Sequence, residues 1–146
     1  MNQTLDQFVY LIWLAQLPAS DSAGRAALLV ALGAIPGALS RYYLTWLAAQ
    51  RFGPAFPYGT LIVNLTGSVL IGFLSTLLQR LAAPLAPDLQ ALLMVGFLGA
   101  YTTFSTYILD ASNLLQAGQT RRAWIYTWGS PVLGLLGVEV GRWVGG

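Results

Sequence analysis

The chain has 146 residues, 56% of them hydrophobic and only 8% charged, against about a quarter charged in an ordinary soluble domain, so it reads as an integral membrane protein. It holds no Cys and no His, which excludes thiol chemistry, disulfides and the usual transition-metal ligands. Its five acids are dispersed, leaving no carboxylate pair for acid–base catalysis, and a net charge of +2 on scattered arginines gives no footprint for nucleic acid, so neither an enzyme nor a nucleic-acid binder is expected.

Residues 1–24 form an N-terminal extension unlike a cleaved signal peptide, because Asp6 stands where a basic stretch belongs and the apolar run after it is short. Leu5, Phe8, Val9, Ile12 and Trp13 fall at helical spacing, which favours an interfacial helix over a disordered tail ending at Pro18. The remaining 25–146 read as one domain of four transmembrane helices.

A first span covers residues 26–49, enough for a bilayer core that needs about 20 residues. Gly33, Pro36 and Gly37 are expected to loosen its middle. Arg41 lies inside the apolar stretch, where a charge is expensive; it either snorkels to the helix end or draws anions at a water-filled mouth, and the two roles are compatible.

A second span covers 58–81. Asn64, Gly67, Ser68, Ile71, Gly72 and Ser75 recur at i, i+3, i+4, i+7, i+8 and i+11, so one narrow stripe of small and polar groups faces protein. Its bland role is interhelical glue; its sharper one is a polar lining to which Asn64 brings an amide donor.

The third span, residues 89–115, carries Thr102, Thr103, Ser105 and Thr106 in its middle. Hydrocarbon offers these hydroxyls no partner, so they should face protein, an ion or water. Gly96 and Gly99 just before them are expected to let the helix break near Gly99, freeing carbonyl oxygens for a cation, and to let another backbone come close. The alternative is a small-residue packing face with the hydroxyls bonded back to the preceding turn. If the helix resumes, Thr103, Thr106, Tyr107 and Asp110 share one face.

A fourth span covers 123–144. Gly134, Gly137, Gly141 and Gly145 form a close-packing stripe, Pro131 removes the hydrogen bond to Thr127, and Glu139 and Arg142 pair near the end. With four spans, Arg25, Arg80 and Arg142 fall on one side and Arg41, Arg51, Arg121 and Arg122 on the other, three against four. So small a bias does not fix orientation, and two oppositely inserted copies can pair about a two-fold axis in the membrane plane.

Three stretches in order, Gly37-Ala38-Leu39-Ser40-Arg41-Tyr42, Gly59-Thr60-Leu61-Ile62-Val63-Asn64-Leu65-Thr66-Gly67-Ser68 and Gly96-Phe97-Leu98-Gly99-Ala100-Tyr101-Thr102-Thr103-Phe104-Ser105-Thr106-Tyr107, closely resemble the signatures of the Fluc (CrcB) fluoride channel family. The resemblance covers residue 26 to the C-terminus. It implies an antiparallel, dual-topology homodimer in the cell's inner membrane that lets fluoride leave the cytoplasm passively and so relieves fluoride toxicity. It implies a structural sodium ion at the dimer centre, held by the Gly99 and Thr102 carbonyls of both chains. It also implies a fluoride path lined by Asn64, Phe104 and Tyr107, with Ser105 and Thr106 as a polar track, Tyr126 and Ser130 from the fourth span, and Arg41 at the vestibule.

The chain departs from the family pattern at three places: Tyr107 replaces the usual second Phe, Asp110 the usual Glu, and Ala100 a Gly. Tyr107 is therefore expected either to donate its hydroxyl to the anion or to block its lane. Two other classes remain open: a small multidrug-type proton-coupled transporter, which would want a carboxylate deep in its first span, and a non-transporting membrane subunit.

Overall fold

The computed structural model describes residues 20–80 and 86–146. The interfacial helix expected over residues 1–24 falls almost wholly outside them. Within them the protein is all-helical. Helix α1 is Ser20–Phe52 and α2 is Tyr58–Arg80; α3 covers residues 86–101, with one α-helical turn, Ala86–Leu89, a π-helical stretch, Gln90–Leu98, and a last α-turn, Gly99–Tyr101. After two extended residues come α4, Phe104–Gln116, and α5, Thr120–Gly145.

Three stretches are long and apolar enough to cross a membrane: Ala23–Phe52, Tyr58–Arg80 and, counting α3 with α4, Ala86–Gln116. Helix α5, 26 residues long, matches them in length. The burial pattern agrees with a lipid environment. Leu28, Leu32, Ile35, Leu39, Tyr43 and Trp46 along α1 are exposed, far more contiguous apolar surface than a soluble monomer presents.

Helices α2 and α5 pack along one another through backbone. A Cβ on Gly141 would sit 2.0 Å from the Val69 carbonyl oxygen, and one on Gly72 2.1 Å from that of Val138, so the glycine stripe of the fourth helix does what its spacing implies. Helix α1 runs through Pro36 without ending, and Gly33 and Gly37 beside it admit α3. A Cβ would meet the Leu92 carbonyl oxygen at 2.0 Å from Gly33 and the Phe97 oxygen at 2.3 Å from Gly37.

The close contact at Gly72 has a measurable consequence. Gly72→Ala gains helix propensity of at most about 1 kcal/mol, but it must push two backbones apart at about 1–3 kcal/mol, so it lowers the melting temperature. Gly129→Ala, whose Cβ would have nothing within 4 Å, leaves it unchanged or raises it. Thermal unfolding in detergent compares the two.

Polar staples tie the bundle ends. Arg25 pairs with Asp88, joining the starts of α1 and α3, and Arg80 donates to the Gly146 carbonyl, joining the ends of α2 and α5. Glu139 and Arg142 pair at 3.2 Å as their spacing implies. At the opposite end α4 closes with Gly118 at φ 72°, where Gln119 N–H reaches the Leu114 carbonyl at 2.9 Å and Gly118 N–H that of Leu115 at 3.0 Å. This is a Schellman stop, and it turns the chain tightly into α5.

Candidate ion pathway at the helix break

The break in the third span comes at Thr102 and Thr103, not at Gly99. Gly99 is helical at φ −62°, ψ −37°, whereas Thr102 (φ −81°, ψ 160°) and Thr103 (φ −151°, ψ 117°) are extended. Gly96 serves the close backbone approach expected of it: its Cβ would lie 2.6 Å from the Val30 carbonyl oxygen.

A neighbouring side chain holds the break open. Asn64 Nδ2 donates to the Thr103 carbonyl at 2.9 Å, and the Thr103 amide donates to Asn64 Oδ1 at 2.8 Å. The side-chain amide thus meets the extended residue as a neighbouring strand would, satisfying both backbone groups that the helix has abandoned. Each would otherwise be an unmet buried group worth about 1–3 kcal/mol. Thr103 then caps the next helix, its Oγ1 accepting from the Thr106 amide at 3.2 Å. Thr102 bonds back to the preceding turn, Oγ1 donating to the Leu98 carbonyl at 2.9 Å. The four hydroxyls of this segment therefore divide between the two roles the sequence left open.

The break leaves two helix ends facing one another. The C-terminal end of α3 presents carbonyls; that of Gly99 has lost its helical donor, because the Thr103 amide goes to Asn64. The N-terminal end of α4 presents amides and the positive end of its dipole. One end suits a cation and the other an anion. Arg41, across α1, places Nη1 3.4 Å from the Thr102 carbonyl oxygen, so a cationic group already lies against that end.

A groove of about 610 Å³ runs beside the break and collects seven of the ten expected site residues: Asn64, Gly99, Thr102, Phe104, Tyr107, Tyr126 and Ser130. Phe104 is 75% exposed, and its ring lies 5.6 Å from that of Tyr107 between centroids. Tyr107 in turn lies 5.3 Å from Tyr126, so the three rings form a continuous row. Ser130 Oγ is shielded from solvent and has no partner among the described residues.

The remaining three expected residues lie elsewhere. Thr106 lines a second cavity of about 410 Å³ under the α1–α2 loop, and its hydroxyl accepts from Thr103 Oγ1 at 3.0 Å. Ser105 is exposed, 3.3 Å from Thr103 Oγ1, and Arg41 stands on the α1 side of the break. The Tyr107 hydroxyl donates to the Thr127 carbonyl, and the residue lines the groove.

Sequence reasoning missed Thr60. Its Oγ1 donates to Asp110 Oδ2 at 2.6 Å, and Tyr126, 2% exposed, donates to the same oxygen at 3.4 Å, which joins α2, α4 and α5 where the second cavity begins. The signal was available: Thr60 is one turn before Asn64 and continues its stripe.

Residues 28–142 match the family model described as "CrcB-like protein, Camphor Resistance (CrcB)". Proteins named "Fluoride-specific ion channel FluC" are similar over most of their length. That of Trichormus variabilis is 49% identical over 117 residues, covering 80% of this chain and 85% of its own, and that of Hydrogenobaculum sp. is 45% identical over 120 residues, 82% and 96%. A Synechococcus sp. relative is 49% identical over 118 residues, 80% of this chain and 89% of that one. With three helices able to cross a bilayer, a helix broken where the motif of hydroxyls lies, and a match of this extent, the chain is a multi-pass membrane protein that belongs to the CrcB family.

Proposed function

We propose that this protein is a fluoride-selective channel that lets fluoride leave the cytoplasm passively across the cell's inner membrane. The observation that carries the proposal is the groove at the broken third span, in a chain whose relatives are named fluoride-specific ion channels. Stripping water from a small anion costs on the order of tens of kcal/mol by a Born estimate, so a selective lane needs replacement donors. The α4 amides not taken by the cap, the Ser130 hydroxyl, which has no partner among the described residues, the second Nδ2 hydrogen of Asn64 and the positive edges of Phe104, Tyr107 and Tyr126 are donors of that kind. Hydrogen fluoride enters cells as a neutral acid and dissociates in the more alkaline cytoplasm, and the trapped anion then needs only a passive exit.

The working unit in this reading is an antiparallel homodimer. The groove is open along one side and Phe104 projects from it, an arrangement that a second copy would complete. The domain is 25–146, with 1–24 as an extension, and α5 crosses the membrane beside α2. A sodium ion at the two-fold axis fits the donor set: hard backbone oxygens at Gly99 and Thr102, on the negative end of a helix. When bound it would add positive potential beside the anion's lane, and these two carbonyls from each chain would hold it.

Growth is the functional test. Cells stripped of their own fluoride export should regain growth in fluoride when they express this chain, and unchanged sensitivity at normal expression would contradict the proposal. Topology is a separate test. With arginines three against four on the two sides, reporters fused to the C-terminus should report both compartments in comparable amounts, and a single orientation would remove the antiparallel dimer.

A further inference from the structure

Pro131 lies inside α5 and has no amide hydrogen, so the Thr127 carbonyl one turn earlier has no helical donor. A bare carbonyl beside an anion's lane would present its negative end to the anion. The Tyr107 hydroxyl donates to that carbonyl from α4, across the helix–helix contact. Tyr107 is buried, its ring between Phe104 and Tyr126, and it lines the same groove as Pro131 and Ser130.

From this geometry, and resting on the fluoride reading above, we infer that Tyr107 is a positioning residue paired with Pro131. Its hydroxyl neutralises the carbonyl that Pro131 leaves unmet and fixes the angle of its own ring, so the anion meets the ring edge and never the hydroxyl. The two residues form one device: a tyrosine is needed here because a proline stands at 131. The hydroxyl is neither a donor to fluoride nor an obstruction.

A double-mutant cycle tests the pairing. Tyr107→Phe removes one oxygen and keeps the ring. In the parent it should lower fluoride flux about tenfold, the effect of one unmet hydrogen-bonding group. In a Pro131→Ala background, where the alanine's amide can bond the Thr127 carbonyl, the same change should lower flux less than about twofold. A hydroxyl that served the anion directly would give equal losses in both backgrounds, and that result overturns the inference, as does an unchanged flux for Tyr107→Phe in the parent.

Melting temperatures of the same four proteins decide the matter independently of conduction. Tyr107→Phe should lower the parent's melting temperature by about 3 °C and the Pro131→Ala variant's by nothing measurable. If the parent carries no fluoride the functional reading has failed, and the melting cycle alone then upholds or overturns the pairing.

Discussion

Asn64→Asp should abolish fluoride flux, a loss of about 100-fold or more, in a protein that still folds. The structure makes this a sharper expectation than the loss of a donor. In the parent, Asn64 gives a hydrogen to the Thr103 carbonyl and takes one from the Thr103 amide. An aspartate keeps the second bond, so the break and the cap at Thr103 survive. The first becomes a contact between two oxygens, and an ionised carboxylate then stands in the lane of an anion with little water to screen it. Asn64→Leu differs in kind. It leaves both Thr103 groups unmet and should cost more stability than Asn64→Asp, by about 1–3 kcal/mol in thermal or denaturant unfolding. Normal flux through Asn64→Asp with its carboxylate ionised would mean that Asn64 only joins α2 to the broken helix.

For the proposed dimer with its proposed central ion, removing sodium from both faces should lower flux about tenfold or more and lower the melting temperature. A ligand held only by the assembled state stabilises it by about 2.7 kcal/mol at 100 times its dissociation constant, and that increment disappears with the ion. The proposed ligands are backbone oxygens, so Thr102→Ser should change little, whereas exchanging sodium for a larger organic cation should reproduce the loss. The Thr102 carbonyl has two lone pairs and already faces Arg41 Nη1 at 3.4 Å, which leaves one for an ion. Flux and melting indifferent to the exchange would remove the central cation from the account while leaving the fluoride lane in place.

Much of the fold is legible in the sequence because lipid allows so few solutions. The four spans follow from apolar run lengths, the third as the pair α3 and α4, and the packing stripes of α2 and α5 follow from small residues at helical spacing; that the two stripes meet is read from the structure. The break is legible in kind but misplaced by three residues. Glycine marks both freedom to bend and room for a neighbour; Gly96 serves the second, against Val30, and the bend comes where Asn64 can receive it. That pairing spans 39 positions in the chain, and no local pattern encodes it. The same limit hid the tie between Tyr107 and Thr127. Loss of the Thr127 hydrogen bond is readable from Pro131 alone, but which side chain answers it depends on how α4 lies against α5. At Gly33 and Gly37 the same limit holds: the lack of a side chain is readable in the sequence, and only the packing of α3 shows its use.

The most direct measurement of the central claim is ion efflux from liposomes containing the purified protein and nothing else. Loaded with fluoride and given a path for charge compensation, the vesicles should release fluoride to an ion-selective electrode far faster than protein-free vesicles, while vesicles loaded with chloride retain it. Equal release of both anions, or fluoride release no faster than from empty vesicles, would contradict the account.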